Sequence, residues 1–187
     1  STEEAEAWSP DDGFERIFYT VSADIFIAIA FSMVMIALMA MHNAKSSKTK
    51  INARLGIIWG GAALLSVFIA PALFGLHPEI PGTEAAILED RQAWWLFCAL
   101  ASAGGLAVLY YANHFFKLIG LGLLLAPHII GAPMPVAHGF ANPDPLAVAA
   151  LAELSQDFYL MTAVGMTLFF LLIGSLSGHL VQRYIRL

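Results

Sequence analysis

The stretch LHPEIPGTEAAILEDRQAWW, residues 76–95, sets His77, four carboxylates (Glu79, Glu84, Glu89 and Asp90) and Arg91 between two apolar runs. Imidazole and carboxylate together form a donor set for first-row divalent cations, among which geometry and availability select more than raw affinity does. A mouth lined by one sign of charge also raises the local concentration of the opposite ion. A second polar stretch, PHIIGAPMPVAHGFANPDP at residues 127–145, adds His128 and His138. Asp24 stands inside the first apolar run, where a carboxylate costs a few kcal/mol at the bilayer centre and less near an interface. The candidate metal-contacting set is therefore Asp24, His77, Glu79, Glu84, His128 and His138.

Each member also has a plainer reading. Loops outside a membrane carry polar residues simply to stay hydrated. Pro81-Gly82 is a turn dipeptide, Thr83 is a plausible helix N-cap, and acids after it suit the helix dipole. Arg91 is expected to pair with Glu84 or Asp90. Trp94 and Trp95 read first as an interfacial aromatic anchor, and Asp24 as a carboxylate snorkelling near the interface.

The elements that must position these groups are membrane helices. Of the 187 residues 59% are hydrophobic and 12% charged, and the mean hydropathy is +0.73. Soluble chains carry about 25% charged residues, so a membrane protein is the class that fits. Spans of about 20 apolar residues are expected at 18–41, 55–76, 93–112, 115–130 and 158–181. The result is an all-α polytopic bundle, with an acidic segment at 1–17 and a helical domain at 18–187. The fourth segment is short, with Pro127 and Pro133 breaking regular helix, which leaves a full span, a half-helix or a re-entrant segment open. Pro71 is expected to kink the second helix and to free the Val67 carbonyl, which in lipid must find a partner or water.

Orientation follows from basic residues in short loops. Lys45, Lys48, Lys50, Arg54, Lys117, Arg183 and Arg186 fall on one face of a five-span topology, and only Arg16 and Arg91 on the other. All fourteen acids lie on or near that other face. The N-terminus is expected outside and the C-terminus in the cytoplasm. Since no initiator methionine or leading signal precedes the acidic start, Ser1 is read as a processed or truncated beginning.

Further features divide the same way. Met33, Met35, Met39 and Met41 are a path for soft Cu(I) or, more plainly, packing filler. GIIWG (56–60) and GSLSG (174–178) are GxxxG motifs that let helices approach closely without naming a partner. Cys98 reads as a small buried hydrophobe. An axial haem role for a pair among His42, His114 and His179 is conceivable, but no spacing favours it. No phosphate-cradling loop, nucleophile elbow, HExxH or paired CxxC occurs, so an enzyme is not expected.

The order EAWSPDDGFERIFYT, INARLGIIWGGAALLSVFIAPALFGLHPEIPGTEAAILEDRQAWWL and APHIIGAPMPVAHG resembles the CbtA family of predicted cobalt transporter subunits over nearly the whole chain. The resemblance implies a multi-pass protein of the bacterial inner membrane, serving cobalt uptake for cobalamin synthesis. Co2+ is then the cargo, with no resident cofactor implied, and the expected companion is CbtB, a small single-span subunit with a histidine-rich end. Family members usually begin with one more hydrophobic helix and a histidine-rich linker. Glu79 and His138 stand at matching positions, whereas Met134, Val136 and Ala137 occupy places where histidine, glutamine or glutamate often appear. Two functions follow as expectations: a membrane subunit of a divalent-metal uptake system, or a non-transporting accessory subunit of a larger membrane complex built on the same scaffold. Neither nucleic acid nor any partner beyond lipids and membrane subunits is expected.

Overall fold

The computed structural model describes residues 8–45, 50–136 and 139–185. They form helices α1 (Phe14–Lys45), α2 (Ala53–Leu64), α3 (Ala70–Phe74), α4 (Leu88–Tyr111), α5 (Lys117–Ile130) and α6 (Pro145–Tyr184). A π-helical segment, Leu65–Ile69, joins α2 to α3, and a 3-10 turn, His114–Phe116, leads into α5. Among the described residues, Phe14–Lys45, Ala53–Leu73, Leu88–Tyr111 and Pro145–Tyr184 are long and apolar enough to cross a membrane, and His114–Ile130 is a shorter apolar helix. The all-α membrane bundle expected from the sequence is the fold observed.

Helix lengths differ from the expected spans for local reasons. Asp144 caps α6, its carboxylate accepting from the Leu146 amide at 3.0 Å, so the helix begins at Pro145 rather than near residue 158. At 1.5 Å per residue its 40 residues reach about 60 Å, twice a hydrocarbon core of about 30 Å. The first helix starts at Phe14 and likewise overhangs. Asn52 caps α2 through its side-chain oxygen and the Leu55 amide, 3.0 Å apart. Pro127 lies inside α5, whose last residue is the expected end of the fourth segment. The helix runs on to Ile130 and stops at Gly131, whose φ of 85° takes the chain into the left-handed region.

Two glycine seams hold the helices in groups. Gly56 and Gly60 of α2 lie against Gly174 and Gly178 of α6, so the two GxxxG motifs are each other's partners. A Cβ built on Gly174 would sit 2.5 Å from the Gly56 carbonyl oxygen and 2.7 Å from the Gly60 Cα. The second seam joins α4 and α5, where a Cβ on Gly105 would meet the Gly120 carbonyl oxygen at 2.8 Å. The main core fills the α1–α2–α6 group with Met35, Met39, Leu64, Phe170, Ile173 and Val181. Phe31 stacks edge-on against Phe170 at 5.2 Å. Of the methionines of α1, Met35 and Met39 are packing filler, while Met33 and Met41 are exposed. Cys98 is fully buried in α4.

A methyl group inserted into a seam has nowhere to go. Gly174→Ala is expected to cost about 1–3 kcal/mol, the usual range for overpacking, and to lower Tm by about 2–4 °C per kcal/mol for a chain of this size. Gly165→Ala on the same helix, where nothing lies within 4 Å of the added carbon, is expected to leave Tm unchanged or to raise it slightly, since alanine favours the helix. Thermal unfolding in detergent, followed by tryptophan fluorescence, compares the two.

Candidate functional site

The site begins with a missing donor. Pro71 has no N–H, so the Val67 carbonyl cannot receive the α-helical bond from four residues on. The helix widens to π geometry at Leu65–Ile69, and the Trp95 indole Nε1 donates to the Val67 oxygen at 3.0 Å. The freed Val67 carbonyl matches the expectation from Pro71, and where a kink is expected the helix carries a π segment and runs on to Leu73. The neighbouring tryptophan does the same for another helix: Trp94 Nε1 donates to the Pro127 carbonyl at 3.3 Å, in buried surroundings. The two tryptophans, expected as an interfacial anchor, thus tie α4 to the broken helix on one side and to α5 on the other. Only 7% of Trp94 is exposed, which an interfacial ring does not require.

Beyond the kink the chain runs through 75–87 as a loop, and this loop is pinned to 131–144. The Glu84 amide donates to the Gly139 carbonyl at 2.9 Å and the Ala141 amide to the Gly82 carbonyl at 3.2 Å, flanking a Thr83–Phe140 bridge. Pro81-Gly82 makes the expected turn, with φ of 90° at Gly82 and the Thr83 amide returning to Ile80. Thr83 is not a helix cap. Its hydroxyl donates to the Ile80 carbonyl at 2.8 Å, and α4 starts only at Leu88, because the extended pairing with Phe140 holds 83–86 out of helix.

Two cavities flank this loop. The larger, about 580 Å³, lies over the break, with Val67, Pro71, Leu88 and Trp95 among its apolar walls and His77, Glu79, Arg91 and Gln92 among its polar ones. The smaller, about 170 Å³, sits between the paired loops and is lined by His77, Glu79, Glu84, Arg91, Met134 and Gly139, among others. Arg91 reaches Glu79, Nη2 to Oε2 at 2.9 Å, with 27% and 22% of the two side chains exposed. The expected pairing with Glu84 or Asp90 is therefore replaced by one across the loop. Glu79 is brought over α4 by the Pro78–Pro81 turn, while Asp90, next to Arg91 on the helix, points elsewhere.

Of the six candidate residues, His77, Glu79 and Glu84 share the smaller cavity. His77 also packs edge-on to Tyr159 of α6, ring centres 6.4 Å apart. His128 lies at the end of α5 against Trp94, at 6.4 Å, and lines neither cavity. Asp24 is exposed on α1, away from both. His138 lies outside the described residues. Among the described residues no three His, Cys, Asp or Glu side chains converge closely enough to hold a metal ion. Arg91 and Trp95 were missed as functional candidates. Their signals were present in the sequence: a lone arginine facing an acidic loop, and a tryptophan within reach of a proline-freed carbonyl.

At the opposite end, His42 of α1 is buried with its Nδ1 2.7 Å from the Tyr111 hydroxyl. It packs edge-on to Trp59 at 6.0 Å. Asn43 accepts the Ile51 amide at 2.8 Å, fastening the end of α1 to the start of α2. His114 and His179 are exposed, whereas His42 is buried.

A family described as "Probable cobalt transporter subunit (CbtA)" matches residues 1–182 of the chain. The chain belongs to the CbtA family. Comparison with curated proteins and with solved structures gave no match in either case. The membership agrees with the resemblance carried by the residues of the loop at 76–95, and the apolar helices make this CbtA-family chain a multi-pass membrane protein. The description as a subunit implies further subunits, and cobalt is the cargo the family name gives.

The indole bond at the break has a measurable weight. Trp95→Phe is expected to cost about 1 kcal/mol, the scale of an interhelical hydrogen bond in a membrane. Pro71→Ala supplies a backbone N–H at that position, so in its presence Trp95→Phe is expected to cost less. A double-mutant cycle of unfolding free energies reads the difference, and strict additivity would show that the indole does not serve this carbonyl.

Proposed function

We propose that this chain is the membrane subunit through which divalent cobalt enters the cell, with the smaller cavity as the point where the hydrated ion leaves bulk water. One observation carries the reading: His77, Glu79 and Glu84, three side chains of two ligand types suited to a first-row cation, line one small cavity that abuts a larger one over a π-widened membrane helix. Single-turn π segments inside helices are frequent at functional sites, and here one lies at Leu65–Ile69, beside the larger cavity. The loop acids gather cations by their field. Ligation by few protein groups, completed by water, suits an ion that must also leave again.

The acidic end faces outward in this reading, because seven of the nine lysines and arginines fall at the other end. The membrane is then the bacterial cytoplasmic membrane and the direction is inward. A small single-span CbtB-like subunit is the companion proposed from family membership. The chain itself performs no covalent chemistry, and the driving force comes from an ion gradient or a partner subunit. The family description favours this role over that of a non-transporting accessory subunit.

Glu84→Gln combined with His77→Ala is expected to reduce cobalt accumulation by about tenfold or more, which corresponds to some 1.4 kcal/mol of lost attraction. The Glu84 backbone bond to Gly139 is untouched by the change. Glu153→Gln, exposed on α6 and outside both cavities, serves as the control and is expected to leave uptake intact. Uptake of radioactive cobalt by cells making equal amounts of each protein decides the matter. Equal uptake in the double variant would remove these side chains from the path.

A further inference from the structure

The two cavities meet at a shared wall. Leu76, His77, Glu79, Thr83 and Arg91 line both of them, and within that wall the Glu79–Arg91 pair is the one contact between full opposite charges. Glu79 belongs to the loop. Arg91 belongs to the first turn of α4, whose Trp94 and Trp95 are bonded to Pro127 and Val67. The carboxylate therefore belongs to a loop, and the guanidinium to a helix start that two indole bonds hold in place. The Arg91 backbone also sits near the N-terminus of α4, where the helix dipole disfavours a cation and where Glu89 and Asp90 share the first turn; Glu79 is the carboxylate that meets its guanidinium at contact distance.

We propose, on the basis of the uptake reading above, that the Glu79–Arg91 ion pair is a charge-exchange latch. A divalent cation arriving in the smaller cavity takes the Glu79 carboxylate, Arg91 is released, and the wall to the larger cavity parts. Replacing a single positive charge by a double one at similar distance strengthens the attraction to the carboxylate, so a divalent ion opens the latch where a sodium or potassium ion does not. The tethered guanidinium also competes with the ion for Glu79. It keeps occupancy brief and returns to the carboxylate once the ion has moved on, which conduction requires. Partial burial of the pair makes the competition felt, since fully exposed pairs are worth little.

The test measures equilibrium Co2+ binding to the purified full-length protein by calorimetry, alongside cobalt uptake in cells. Arg91→Gln is expected to tighten Co2+ binding by about tenfold, the scale of one removed competing charge. Millimolar guanidinium, supplied free, is expected to restore the weaker wild-type affinity in Arg91→Gln and to leave wild type unaffected. Arg91→Lys keeps the charge but loses the planar fork, and is expected to shift affinity in the same direction by less; it decides the question if Arg91→Gln does not fold. Wild-type binding and uptake with unchanged affinity in both variants would overturn the latch and leave the uptake reading standing. Absence of both Co2+ binding and uptake in wild type would overturn the two together. A tightening that free guanidinium does not reverse would assign Arg91 a structural role and overturn the latch alone.

Discussion

A membrane-spanning helix cannot leave a backbone carbonyl without a donor, because no water is at hand to replace the lost bond. Pro71 creates that situation at Val67, and the Trp95 indole resolves it at 3.0 Å. Much of the acidic end follows from this one bond. It fixes the distance between α4 and the broken helix, and so the floor of the larger cavity. By holding the start of α4 it also decides where Arg91 stands, one turn before Trp95, and hence which carboxylate of the loop the guanidinium can reach. Trp94, one position back, turns by about 100° around the helix and faces α5, so two adjacent residues of one type serve two different neighbours.

The glycine seams divide the remaining helices into an α1–α2–α6 group and an α4–α5 pair. In lipid, where apolar surface gains nothing by leaving its solvent, close backbone approach is what makes a helix pair cohere. The two groups meet chiefly where α4 lies along the π segment and α3, and again at the far end through His42 and Tyr111. The loop at 75–87, pinned to 131–144, closes over the space between them. The polar residues of that loop are thus set by the separation of two coherent helix groups rather than by a packed core of their own.

How far the sequence foretold this varied with the range of the interaction. Hydropathy marked the spans, and Pro71 predicted both the break and the freed carbonyl, since each is a local consequence of residue type. The GxxxG motifs announced close packing, but only the fold shows that Gly56 and Gly60 meet Gly174 and Gly178, more than a hundred residues away. The reading of Trp94 and Trp95 as an interfacial anchor did not foresee their bonds to Pro127 and Val67, because amphipathic rings look alike in sequence whether they face headgroups or stranded carbonyls. Thr83 looked like a cap because TEAA after Pro-Gly has cap chemistry; a cross-loop bridge to Phe140 overrode it. Arg91 was assigned to sequence neighbours when its partner, Glu79, is twelve positions back and reaches it only through the turn at Pro81-Gly82. Of the candidate ligands, His77, Glu79 and Glu84 were legible as a group because one short loop carries all three. Asp24 and His128 come from helices whose rotation no periodicity in the sequence revealed.

The charges of the acidic end explain why a pair of moderate strength is useful there. A carboxylate in a small cavity with no positive partner would hold a divalent ion too long to pass it on. Pairing Glu79 with a guanidinium on α4 sets an opposite charge 2.9 Å from it. In the proposed latch, entry of a divalent ion is an exchange rather than an addition, so that the charge beside Glu79 rises by one instead of two. That smaller rise is what a low-dielectric site tolerates best, and it requires the arginine to be anchored nearby. The indole bonds of Trp94 and Trp95 to Pro127 and Val67 provide that anchoring, so the break in the second helix and the chemistry of the mouth are consequences of the same proline.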